Sequence, residues 1–157
     1  MGQLKPLSAR EISYAYSARS KPGRAFIRLM ENSTGRLALM KRASGYEQDM
    51  AAGGCFFDVM ARRYGLSLDV VGGGLDSIPA TGPVIFLANH PYGILDGLML
   101  GHIMSRTRPD FKIMAHSVFN RAPDLNKHLL PISFDETKDA IALNLHTRKT
   151  ALDYLGQ

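Results

Sequence analysis

The chain has 157 residues, 45% of them hydrophobic and 21% charged, with 19 Lys and Arg against 14 Asp and Glu. A chain of that size buries about 68–70% of its unfolded surface, so one domain needs neither a disulfide nor a metal staple, and the single cysteine, Cys55, excludes an internal disulfide. No stretch approaches the ~18 apolar residues of a membrane span and no apolar signal-peptide run opens the sequence, so neither secretion nor an integral helix is indicated and a cytoplasmic location is expected.

Residues 1–24 are polar and basic and are interrupted by Pro6 and by Pro22-Gly23, which predicts a loose arm with at most a short helix over 9–18. From Arg24 the pattern turns helical: Phe26, Ile27, Met30, Leu37 and Met40 share a face, with a break expected at Gly35. Tyr46, Met50, Phe57, Met60, Ala61 and Tyr64 continue at helical spacing, and Gly65 ends the helix. Residues 1–63 hold eleven Lys and Arg against five Asp and Glu, whereas residues 64–157 hold eight against nine. Such a basic, amphipathic segment suits an anionic membrane surface, where each Lys or Arg is worth about 1 kcal/mol. No nucleic-acid motif accompanies it, so nucleic acid is not the expected partner; a solvated basic face is the plainer reading. Cys55, between glycines and phenylalanines, reads as packing against an apolar surface.

Leu66, Leu68 and Val70 alternate with Ser67 and Asp69 as in a strand, which Gly72-Gly73-Gly74 ends. Pro83-Val84-Ile85-Phe86-Leu87-Ala88 follows a turn and reads as a fully buried strand. A helix is predicted over 96–105, a short strand over 111–115, a less regular stretch over 117–127, an edge strand over 129–134 because Pro131 lacks a ladder donor, and a helix over 137–154. The order predicts an α/β fold with a mixed, mostly parallel sheet covered by helices, in two parts: residues 1–64, a basic arm with amphipathic membrane-surface helices, and residues 65–157, the α/β part.

Where the predicted strand ends, the sequence reads Asn89-His90-Pro91-Tyr92-Gly93-Ile94-Leu95-Asp96-Gly97. Carboxyl ends of strands are where open α/β sheets bind ligands, so a histidine and an acid there are placed for chemistry. On a continuous helix residues six apart are rotated by roughly 600°, or 240° net, and would point away from each other. Pro91 and Gly93 break that regularity, so a turn can return Asp96, in the first turn of the next helix, to the imidazole. A carboxylate on one ring nitrogen fixes the tautomer and leaves the other nitrogen to take a proton. The plainer alternatives are a hydrogen-bonded structural histidine and an aspartate that caps a helix. His102, His116, His128 and His146 lack ligand spacing, so no metal site is predicted. Gly72-Gly73-Gly74 lacks a following Gly-Lys-Ser/Thr and is read as a turn rather than a phosphate loop.

The segment Ala88-Asn89-His90-Pro91-Tyr92-Gly93-Ile94-Leu95-Asp96-Gly97 resembles the first block of the glycerolipid acyltransferase superfamily, which includes 1-acylglycerol-3-phosphate acyltransferases. Most members carry Asn-His-x4-Asp; five residues separate His90 from Asp96 here, and with Pro-x-Gly inside, the segment is more similar to the lyso-ornithine-lipid acyltransferase and hemolysin-like bacterial branch. Supporting similarity runs from 66–70 and 78–85 to 111–115, Phe119, Leu130-Pro131-Ile132 and Arg148-Lys149-Thr150-Ala151-Leu152.

The resemblance implies acyl transfer from an acyl-carrier-protein or coenzyme A thioester to the hydroxyl of a lysolipid in phospholipid or ornithine-lipid biosynthesis, with no bound cofactor. His90 is then the general base and Asp96 orients it; Asn89, Pro91, Gly93 and Gly97 support or contact substrate, Gly93 through close backbone approach. It implies a peripheral protein on the cytoplasmic side of the inner membrane. The family's third block, a Phe-Pro-[Glu or Ala]-Gly type segment, would be expected just after Gln157, so the resemblance implies the N-terminal part of an acyltransferase domain. The usual basic residue of the second block is replaced near Leu130-Pro131-Ile132 by Ser133, Phe134 and Asp135. A non-catalytic lipid-binding module and a thioester or ester hydrolase are the alternatives.

Overall fold

A computed structural model describes Ser13, Ala15 and residues 18–121 and 123–156, and the chain divides between Gly54 and Cys55 into two compact units. Most of the predicted N-terminal arm, including a helix over 9–18, lies outside the described residues.

In the first unit, helix α1 (Lys21–Ser33) begins three residues before the position that periodicity indicates. Ser20 caps it, its hydroxyl accepting the Gly23 N–H at 3.2 Å, and Pro22 stands in the first turn, where its missing N–H is no loss. Pro22-Gly23 therefore opens the helix rather than interrupting the chain. The break expected at Gly35 is present: its φ of 95° separates α1 from α2 (Arg36–Ala43). No residue of α1 is buried; Phe26 is 63% and Leu29 67% exposed. The helix anticipated from Tyr46 to Tyr64 is two helices, α3 (Tyr46–Ala51) and, in the second unit, α4 (Phe56–Tyr64), because Gly53 takes a positive φ between them.

In the second unit α4 buries Phe56, Phe57, Val59, Met60 and Ala61 and ends at Gly65, whose φ of 68° lets its N–H reach the Ala61 and Arg62 carbonyls. It packs on α5 (Ile94–Thr107), so by its contacts α4 lies with residues 65–157 rather than with the N-terminal helices. The Phe57 ring lies against Gly101 of α5, where a Cβ would overlap it. The same ring meets Phe111 at 5.6 Å and His128 at 5.7 Å, and Phe111 and His128 stack with centroids 4.3 Å apart. Cys55, expected against an apolar surface, is exposed, because it precedes α4 and that helix buries its phenylalanines instead.

Strands β1 (Ile113–His116) and β2 (Leu129–Ile132) pair in parallel, Ile113 opposite Leu129 and Ala115 opposite Pro131. Between them come a 3₁₀ turn over Ser117–Arg121 and the single-turn helix α6 (Pro123–Asn126). Helix α7 (Lys138–Leu155), capped by Thr137, covers β2. Its buried Thr147 donates to the Pro131 carbonyl at 2.6 Å, while Asn144 exchanges two hydrogen bonds with the Ser133 backbone. The architecture is thus mixed helix and strand with a two-stranded parallel sheet among the described residues.

Two predicted strands are not strands. Residues 66–70 and 83–88 make no ladder, and in the second Val84 and Phe86 are half-buried while Ile85 is 71% and Leu87 93% exposed. The period-two alternation survives, but a buried strand needs neighbours on its edges and cover on both faces, and among the described residues β1 and β2 pair only with each other. Among the described residues no helix is long and apolar enough to cross a membrane.

Candidate functional site

The segment 83–90, neither helix nor strand, ends in a turn at Pro91-Tyr92-Gly93. Gly93 adopts φ 60°, ψ −122°, a conformation open to glycine, and serves as N-cap of α5. No other protein atom lies within 4 Å of where its Cβ would stand, so within the chain it is backbone conformation that requires glycine.

The turn brings the chain back on itself. Asp96, third residue of α5, accepts the Tyr92 backbone N–H on Oδ2 at 2.7 Å, and its own N–H donates to the Gly93 carbonyl at 3.1 Å. His90 Nδ1 lies 3.5 Å from the same Oδ2, with the imidazole 67% and the Asp96 side chain 22% exposed. The interval that would separate the two residues on a helix therefore brings them together across a turn. At 3.5 Å the imidazole and carboxylate are neighbours outside the 2.7–3.2 Å of a formed N–H···O bond, and the tight bond of this carboxylate goes to the backbone. Asp96 thus serves as a helix-terminal anchor and as the imidazole's neighbour at once.

Asn89 and Pro91 are exposed on either side of His90, and Gly97 is half-buried on α5 with nothing within 4 Å of a Cβ position. The structure gathers His90, Tyr92 and Asp96 around one carboxylate oxygen; it gives Asn89, Pro91 and Gly97 no bond to that oxygen. A groove of about 310 Å³ on α7, lined by Leu145, Arg148, Lys149, Leu152 and Asp153, contains none of these residues.

The side chains of three of the other histidines have partners. His102 Nδ1 meets Asp58 Oδ1 at 2.6 Å across the α4–α5 packing, with Arg106 Nε 3.3 Å from the same oxygen. This second, tighter His–Asp pair had no signature in the sequence, since its members are 44 positions apart on separate helices. His116 Nδ1 accepts the Val118 N–H at 3.1 Å. His128 Nδ1 lies 3.1 Å from the Phe111 carbonyl, and burial pushes its pKa below the usual histidine range. Among the described residues no cluster of three or more His, Cys, Asp or Glu could hold a metal.

No protein-family model matches this chain, and no curated protein or solved structure matches it.

Proposed function

We propose that this chain carries the His–Asp site of an α/β acyltransferase of the glycerolipid type, with a mostly parallel sheet, moving a fatty acyl group from an acyl-carrier-protein or coenzyme A thioester to the hydroxyl of a lysolipid. The observation that carries the reading is the shared Asp96 Oδ2, which fastens the Tyr92 N–H and lies beside His90 Nδ1. With Nδ1 turned to the carboxylate, Nε2 is the nitrogen left to take the acceptor's hydroxyl proton. The alkoxide attacks the thioester carbonyl, the tetrahedral intermediate expels the thiolate, and His90 returns the proton to sulfur. Asn89, Pro91, Gly93 and Gly97 frame the histidine, and the chemistry asks for no bound cofactor.

The exposed Phe26 and Leu29 of α1, on a helix that also carries Lys21, Arg24 and Arg28, support peripheral attachment to an anionic membrane on its cytoplasmic side. Acyl-thioester turnover on lysophospholipid and lyso-ornithine lipid, measured for wild type and His90→Ala, is the test. A loss on the order of 10²–10⁴-fold is expected from removing a general base. Equal rates in the two proteins overturn the proposal.

A second reading is hydrolysis, which the 67% exposure of the His90 side chain favours because water reaches the same nitrogen. Free fatty acid without acylated lipid identifies that outcome.

A further inference from the structure

We infer that Arg108, at the far end of α5, is the positioning residue that sets the register of the His90-bearing segment. Only the catalytic consequence of this inference rests on the acyl-transfer reading.

Residues 83–90 make no ladder hydrogen bonds among the described residues, so nothing along their length fixes them as a sheet would. They are fastened at their ends. Arg108, the C-cap of α5, donates from Nη1 to the carbonyls of Pro79 at 3.1 Å and Gly82 at 2.8 Å. Its other edge forms a fork on Asp110, Nε to Oδ1 at 3.0 Å and Nη2 to Oδ2 at 2.8 Å, which fixes the plane of the guanidinium. The Asp110 carbonyl in turn accepts the Tyr154 hydroxyl of α7. The Arg108 side chain is only 13% exposed.

At the other end the segment closes on Asp96 through Tyr92 and His90. Segment and helix α5 are the two legs of one loop, with Arg108 closing the foot and Asp96 the top. A slip of one residue moves His90 by about 3.3 Å and exchanges the half-buried Val84 and Phe86 for Ile85 and Leu87. Such a displacement is comparable to the 3.5 Å His90–Asp96 separation. The foot of the loop thus controls the pairing at its top.

The test is backbone order by ¹⁵N–¹H heteronuclear NOE in the 157-residue chain, for wild type, Arg108→Ala and Arg108→Lys, alongside turnover. An ordered wild-type segment is expected, with Arg108→Ala lowering the NOE over 79–90 while α5 keeps its values, and Arg108→Lys losing less, since one ammonium cannot hold the fork and both carbonyls together. Where turnover is present, kcat falls at least tenfold in Arg108→Ala with KM changed less than threefold. Should Arg108→Ala fail to fold, Arg108→Lys decides by the same measurement. A wild-type segment already mobile, or variants that lose melting temperature while 79–90 keep their NOE values, overturns the inference. Absence of turnover in the wild type overturns the acyl-transfer proposal and leaves the order measurement to decide the role of Arg108.

Discussion

Asp96 carries two jobs on one oxygen, and substitution separates them. Asparagine keeps an oxygen that accepts the Tyr92 N–H but lacks the charge that stabilises an imidazolium; alanine loses both. Asp96→Asn is expected to keep the melting temperature within a few degrees and lower acyl transfer on the order of 10²-fold or more. Asp96→Ala is expected to lose about 1 kcal/mol of stability in addition, the usual cost of a helix-terminal acceptor. Chemical denaturation and turnover on the two variants check both halves. Equal stability of the pair would mean that the 2.7 Å bond contributes nothing to the fold. Gly93 belongs at the same scale: with φ at 60° and open space around it, Gly93→Ala is expected to cost about 1–3 kcal/mol through backbone strain alone, measurable in the same denaturation series. His90 and Asp96 were legible in the sequence because Pro91 and Gly93 announce the turn. The Tyr92 N–H was not, because a backbone donor has no letter of its own.

At the level of elements, helices whose signals are local were legible. Gly35 and Gly65 end helices where their spacing implies, and Thr137 opens α7 as a capping residue does. The failures are non-local. Residues 83–88 have the composition of a strand, yet strand formation needs a partner that the segment's own letters cannot specify; Pro22 is ambiguous by itself because proline stops a helix in its interior but opens one in its first turn. The α4–α5 contact shows the same dependence on a distant neighbour. In an exposed helix Gly101→Ala would gain about 1 kcal/mol from propensity, but here the added methyl meets the Phe57 ring, and overpacking costs about 1–3 kcal/mol. The ring is buried with no free side to retreat to, so the substitution is expected to lower the melting temperature. His128 gives the contact a pH dependence. Its pKa is depressed in the fold by burial, so the unfolded chain binds the proton first: stability is full above the ordinary histidine value near 6.5 and falls as pH drops from there toward the depressed value. His128→Phe is expected to flatten that part of the stability–pH curve relative to wild type, whatever it does to the stability at pH 8, and thermal melts from pH 8 to 5 read the difference.

Across the whole molecule, charge and apolar exposure fall on the same part of the sequence. Residues 1–63 hold eleven Lys and Arg against five Asp and Glu, and α1 in that stretch leaves Phe26 and Leu29 more than half exposed. Neither feature alone decides a partner. A basic surface without apolar side chains binds any polyanion and releases it in salt, and an apolar helix face without charge has no preference among lipids. Together they predict binding to phosphatidylglycerol-containing vesicles that exceeds binding to neutral phosphatidylcholine vesicles at least tenfold at low salt, and that weakens, without vanishing, as ionic strength rises to 0.5 M and the screening length shrinks to a few ångströms. Phe26→Ser with Leu29→Ser removes the part that salt does not. The double variant is expected to keep its low-salt binding to anionic vesicles and to lose the salt-resistant fraction, because its charges are untouched while the buried apolar area, worth about 25 cal/mol per Å², is gone. Vesicle co-sedimentation over a salt series separates the two contributions. Binding that is identical for wild type and variant at every salt concentration would mean that the exposed face of α1 never enters the bilayer and that the basic surplus acts by itself.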